Sequence, residues 1–206
     1  MSADRGRPQR ALALAEAVSA EYPGDLELLE LRVGLAIDLG DPAAARAVLN
    51  ARQTSLSGTT EGAMTAATLY ARLGADGLAR MMWTRSLELA PEHFAAHLAL
   101  GRSLVVHASD LQDTWRSSAG AVSARASEDA SQVPTNLSTL WDKAERHLRR
   151  AQELEPARRA PLDGLAELYE LKWAHADPAT LRPEDRGEYD LDQGRRSAVL
   201  AMLDAR

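Results

Sequence analysis

Few residues in this 206-residue chain have the types and spacing to do chemistry. His93 and His97 stand one helical turn apart, with His107 further on. Two imidazoles at that spacing can share one metal ion. No third ligand accompanies them, and His93 falls at a helix start, where polar residues are common. Asp163, Glu167 and Glu170 follow an i, i+4, i+7 pattern and line one helical face. Stacked carboxylates serve acid–base catalysis only where their surroundings split their pKa values. Without such surroundings they form a solvated acidic stripe. Arg146, Arg149, Arg150, Arg158 and Arg159 are interleaved with Glu145, Glu153 and Glu155, a pattern for local ion pairs rather than a phosphate surface. There is no cysteine, which removes disulfides, thiolate metal sites and cysteine nucleophiles. The sequence also lacks a phosphate loop, a dinucleotide glycine fingerprint, a Gly-x-Ser-x-Gly elbow and a His-Glu-x-x-His motif. The expectation is a non-enzyme with no catalytic residue, no metal and no cofactor.

The elements that would position these residues are helical. Ala and Leu supply 70 of the 206 residues, and both are strong helix formers. β-branched residues are few, which argues against a sheet protein. The helical pattern also repeats, with a step of about 34 residues. Gly40, Ala45 and Leu49 recur as Gly74, Ala79 and Trp83, each displaced by that one step. Ala67 and Tyr70 recur as Gly101 and Leu104 at the same spacing. Ala79, Trp83, Ser86, Leu89 and Pro91 recur as Ala144, Leu148, Ala151, Leu154 and Pro156, all at a single longer spacing. That longer step is one repeat plus an insertion almost as long as a repeat.

A unit of two helices in about 34 residues resembles the tetratricopeptide repeat. Its clearest copy runs from Glu61 to Pro91. Ala67, Ala79 and Ser86 let two helices approach, Tyr70 and Trp83 fill the space between pairs, and Gly74 and Pro91 end helices. The resemblance implies an all-α fold, an αα-superhelix of about four helix pairs with flanking helices, in a single domain over residues 1–206. A lone helix is expected over about 8–21. Repeats follow at about 25–57, 60–91 and 92–156, the third interrupted by an insertion at about 107–138. A degenerate, capping repeat covers 159–206, with helices near 160–175 and 184–204. Within the insertion, only Leu111 and Trp115 suggest a short amphipathic helix, and most of the segment reads as a mobile loop.

In this family the first helix of each pair lines a concave surface that receives a peptide or a partner helix. Carried onto this sequence, the groove residues are Glu27, Glu30, Ile37, Asp38, Met64, Thr68, Arg72, Leu98, Arg102, Val105, Asp163, Glu167 and Glu170. With Glu61 at the edge, acids outnumber bases seven to two. The implied partner is a protein or peptide with basic ends and an apolar centre, and the implied role is that of an adaptor or scaffold. The alternatives are an accessory domain of a larger enzyme or of a secretion or assembly complex, and a helical metal or small-ligand protein using His93 and His97. A known subtype clamps a C-terminal carboxylate with Lys and Asn. Lys143, Lys172, Asn50 and Asn136 are the only such residues, and none falls in the groove.

A net charge of −6 argues against nucleic acid as a partner. No run of apolar residues reaches the length of a membrane span. A cytoplasmic location is expected, although the chain could equally be a piece of a larger or exported protein. The helix near residues 8–21 lacks the partner helix expected on its N-terminal side, so Leu12, Leu14 and Val18 are expected to be partly exposed, and the expectation is either weak self-association through this end or a missing upstream repeat.

Overall fold

In the computed structural model, residues 6–122, 135–174 and 183–205 are described. Every regular element among them is a helix: α1 (Gly6–Glu21), α2 (Leu26–Asp38), α3 (Pro42–Leu56), α4 (Thr60–Arg72), α5 (Asp76–Leu89), α6 (Phe94–Val122), α7 (Thr135–Leu154), α8 (Ala160–Trp173) and α9 (Pro183–Asp204). They fall into two compact units, Met1–Ala96 and His97–Arg206.

In the first unit, short polar signals set the helix ends. The Asp25 and Asp41 carboxylates accept from the Leu28 and Ala44 N–H groups at 3.0 and 2.9 Å. The Thr59 hydroxyl accepts from the Gly62 N–H at 3.1 Å. Each such cap satisfies a donor that the first turn leaves open. The α2 and α4 helices end alike. Gly40 and Gly74 take φ of 78° and 67°, a left-handed conformation that costs glycine nothing. The next residue's N–H reaches back five positions, Asp41 to the Ala36 carbonyl and Ala75 to the Tyr70 carbonyl, both at 2.9 Å. Two identical stops, one repeat apart, turn the sequence repeat into a structural one. Between them Leu29, Val33, Ala45, Leu49, Ala63, Ala67, Tyr70, Ala79, Met82 and Trp83 are buried. The Tyr70 hydroxyl donates to the Asn50 amide oxygen at 3.0 Å, so α4 is tied to α3 by polarity as well as packing.

In the second unit, α6, α7 and α8 meet at Leu148, which is fully buried. A Cβ added at Gly101 would stand 2.8 Å from Leu148 Cγ, and one added at Gly164 would stand 2.9 Å from its Cδ2. Two bare glycines therefore make the slot for one leucine, and the close approach of three helices depends on them. The α9 helix is held mainly by charge. Asp192 is 0% exposed and accepts from Lys172 Nζ at 2.7 Å, Trp173 Nε1 at 3.0 Å and Arg195 at 3.0 Å. The Trp173 and Tyr189 rings meet edge to face at 5.3 Å, and Val199 and Leu203 are buried.

Two expectations need correction. The helix predicted to end near residue 106 continues to Val122. The first part of the insertion is thus helix, not mobile loop. Ala108 is fully buried, Gln112 is 3% exposed, and the Gln112 amide donates to the Leu171 carbonyl at 3.2 Å. A Ser- and Asp-rich composition suggested a loop, but Thr114 and Ser117 donate back to the Asp110 and Asp113 carbonyls at 2.8 Å, satisfying their hydroxyls without leaving the helix. Residues 123–134, also within the expected insertion, lie outside the described residues.

Candidate functional site

In the first unit the predicted residues line exposed faces of α2 and α4. Glu27, Glu30, Asp38, Thr68 and Arg72 are exposed or partly so, and Ile37 and Met64 are half-buried. The two helices are bridged across this face at repeat spacing. The Thr65 hydroxyl donates to Glu30 at 3.3 Å, and Arg72 lies 3.8 Å from Asp38. The Arg72 guanidinium rests over the bare backbone of Gly34: a Cβ there would stand 3.4 Å from one of its terminal nitrogens. Leu31, one turn after Glu27, is 52% exposed and adds an apolar contact point that the sequence reading omitted.

In the second unit, Arg102, Asp163, Glu167 and Glu170 are exposed, and Leu98 is partly exposed. The Arg102 stem passes 3.7 Å from the Cβ position of Gly164, which sets α6 beside the acidic stripe of α8. Val105 is corrected: its side chain is 2% exposed and belongs to the core, whereas Val106 is 57% exposed. Leu98, Arg102 and Val106 follow an i, i+4, i+8 line, so the predicted phase slipped by one residue. Asp163 pairs with Arg159 at 3.2 Å and Glu170 with Arg196 at 3.4 Å. Arg149, Arg150 and Arg158 pair locally with Glu145, Glu153 and Glu155 at 2.7, 2.9 and 2.8 Å, as helical spacing suggested.

The histidines are arranged differently from the sequence pairing. His93 Nδ1 accepts from the Ala96 N–H at 3.2 Å, closing the start of α6. His97 Nδ1 instead meets Nδ1 of His147 at 2.9 Å. One ring must donate and the other accept, so a single proton lies between them. Burial, then the neighbouring His97, Arg146 and Lys143, lowers His147 from 6.5 to about 4. Among the described residues, no three His, Asp or Glu side chains gather as a metal would need.

A polar network joining α7, α8 and α9 was not visible in the sequence. Glu145 accepts from the Tyr169 hydroxyl at 2.8 Å and from Arg149 at 2.7 Å. Burial, reinforced by the Glu145 bond, pushes the Tyr169 phenol well above its usual range. Burial would lower Lys172, but its bonds to Asp192 and Glu188 outweigh it and hold the ammonium above normal. Asp192 is held below the usual carboxylate range: burial acts the other way and is overcome by Lys172, Trp173 and Arg195. These groups face one another with donors matched to acceptors, so the network docks α9.

The tetratricopeptide repeat family profile matches residues 2–54, spanning α1 to α3. That N-terminal part of the chain is similar to the tetratricopeptide repeat. Two solved structures of proteins named MamA share the all-α repeat fold. One is 14% identical with a TM-score of 0.59, covering 98% of this chain and 85% of that one. The other is 13% identical with a TM-score of 0.57, covering 98% and 92%. At these identities the likeness is one of fold. No curated protein matches the sequence significantly. Tetratricopeptide repeats generally act as non-catalytic protein-interaction modules, and this repeat fold suggests protein partners. Among the described residues, no helix is long and apolar enough to cross a membrane.

Proposed function

We propose that this helical-repeat protein is a tetratricopeptide-type, non-enzymatic adaptor whose first-helix faces bind a basic peptide or helix with an apolar centre. One observation carries the reading: in each unit the first helices of the pairs combine an excess of carboxylates with an exposed apolar residue. Glu27, Glu30 and Asp38 accompany Leu31 on α2. In the second unit Asp163, Glu167 and Glu170 on α8 are complemented by the exposed Val106 on α6. Carboxylates in water attract a cationic partner at long range and orient it, while the apolar side chains contribute area on contact.

The test is association kinetics with a capped peptide that has arginines at both ends and a leucine-rich centre. Glu27→Arg and Glu167→Arg should each slow association while leaving helicity unchanged, since both side chains reach solvent. Association should also slow between about 50 and 500 mM salt, where the screening length falls roughly threefold. Salt-independent association, or unchanged rates in both variants, would refute the reading.

A further inference from the structure

Glycine inside a helix costs about 1 kcal/mol relative to alanine, yet Gly34 sits buried in the middle of α2. The three atoms nearest to a Cβ at this position all belong to one group, the Arg72 guanidinium: two nitrogens at 3.4 and 3.7 Å and the central carbon at 4.0 Å. At these ordinary contact distances the Arg72 guanidinium lies over Gly34. From there Arg72 reaches Asp38, but only through one nitrogen at 3.8 Å. A strong guanidinium–carboxylate pair is bidentate, with two short, parallel N–H···O bonds. Both side chains are also substantially exposed, at 46% and 71%. The contact is thus loose, solvated and exchangeable.

We propose that Arg72 is a tethered competitor at Asp38: it occupies the position that an arginine of the partner takes on binding, and so lowers the affinity of this face for such a partner. This rests on the reading that the acidic faces receive a basic partner, and it adds an internal competitor to that reading. A partner arginine can meet Asp38 with both arms of its fork and displace the single long contact. A partner lysine, a point charge without the fork, gains less by the exchange. Asp38 itself therefore favours arginine over lysine, and removing Arg72 tightens the arginine partner at least as much as the lysine one.

The test uses the full chain and two capped twelve-residue peptides, identical except for arginine or lysine at both ends, followed by fluorescence anisotropy at low salt. Arg72→Gln is expected to bind the arginine peptide about two- to fivefold tighter, the range that release of an exposed ion pair allows. The lysine peptide should gain no more than the arginine peptide, because the lost competition is common to both. Asp38→Asn should weaken binding, and the double variant should match Asp38→Asn alone, because the competitor acts only at that carboxylate. Circular dichroism reports folding, and Arg72→Lys, which keeps the charge without the fork, serves as a second variant with an intermediate gain expected. Arg72→Gln binding as tightly as the wild type, or more weakly, overturns the proposal while leaving the acidic-face reading intact. Failure of every chain to bind either peptide overturns both.

Discussion

The His97–His147 pair makes the stability of the second unit depend on pH in a window that can be worked out. His147 titrates near 4 in the folded chain against 6.5 for an ordinary histidine. Between those values the unfolded chain holds a proton on this ring that the folded chain lacks. Stability from this group is therefore complete above about pH 6.5, falls as pH drops towards 4, and is flat below. The displacement corresponds to about 3 kcal/mol, an order-of-magnitude figure. The structural causes are first the burial of the ring and then the charge of His97, whose Nδ1 stands 2.9 Å away. That contact survives while one proton is shared, and fails when both rings are imidazolium beside Lys143 and Arg146. Urea unfolding followed by tryptophan fluorescence at stepped pH should lose about 3 kcal/mol more in the wild type than in His147→Gln between about pH 7 and 4. Acid loss from the carboxylates, Asp192 included, is common to both chains and cancels in the comparison. The NMR midpoint of the His147 ring should lie near 4. A midpoint near 6.5, or an equal acid loss in the variant, would refute the reasoning.

Gly101→Ala should destabilise by about 1–3 kcal/mol through overpacking against Leu148, and Gly164→Ala by less, since it meets only methyl ends of that side chain at its closest. Gly194→Ala, exposed in α9 with nothing within 4 Å, should stabilise by about 1 kcal/mol, and thermal melts will rank the three. Lys172→Met leaves the buried Asp192 short of its main cation and should cost about 3 kcal/mol, read as loss of amide-exchange protection along α9. Deleting residues 108–136 should lower helicity and stability rather than leave the fold intact, because it removes buried Ala108 and Gln112; an unchanged melt would show their contacts to be dispensable. Leu14 is 66% exposed on α1, so sedimentation should detect weak self-association that Leu14→Glu abolishes.

Local signals were legible in the sequence. Gly74 and the small residues Ala67, Ala79 and Ser86 announced the helix end and close approaches that the structure contains. These depend on neighbours within a turn or on a fixed repeat step, so periodicity suffices to find them. What escaped depends on long-range register. His147 lies far along the chain from His97, across the interrupted repeat, so the nearer His93 looked like the partner. Lys172 and Asp192 meet where the repeat pattern has decayed, leaving no template for their pairing. The exchange of Val105 for Val106 is a slip of one position, or about 100° around a helix, enough to move a side chain from surface to core. Glu27, Glu30, Asp38, Arg72, Asp163, Glu167 and Glu170 are exposed, as their charges suggested, whereas the uncharged Ile37 and Met64 are half-buried.

The slot around Leu148 has a consequence for how this chain can vary. Gly101, Leu148 and Gly164 come from three different helices, yet they share a single fixed volume. A methyl group can be moved among them but not added. Gly101→Ala should be tolerated far better when Leu148 is shortened to valine in the same chain, although each change alone is costly. Such reciprocal rescue is measurable as a coupling energy in a double-mutant cycle. Across natural variants of the fold it would make these three positions drift as a unit, with bulk passing from one helix to another while their sum stays constant.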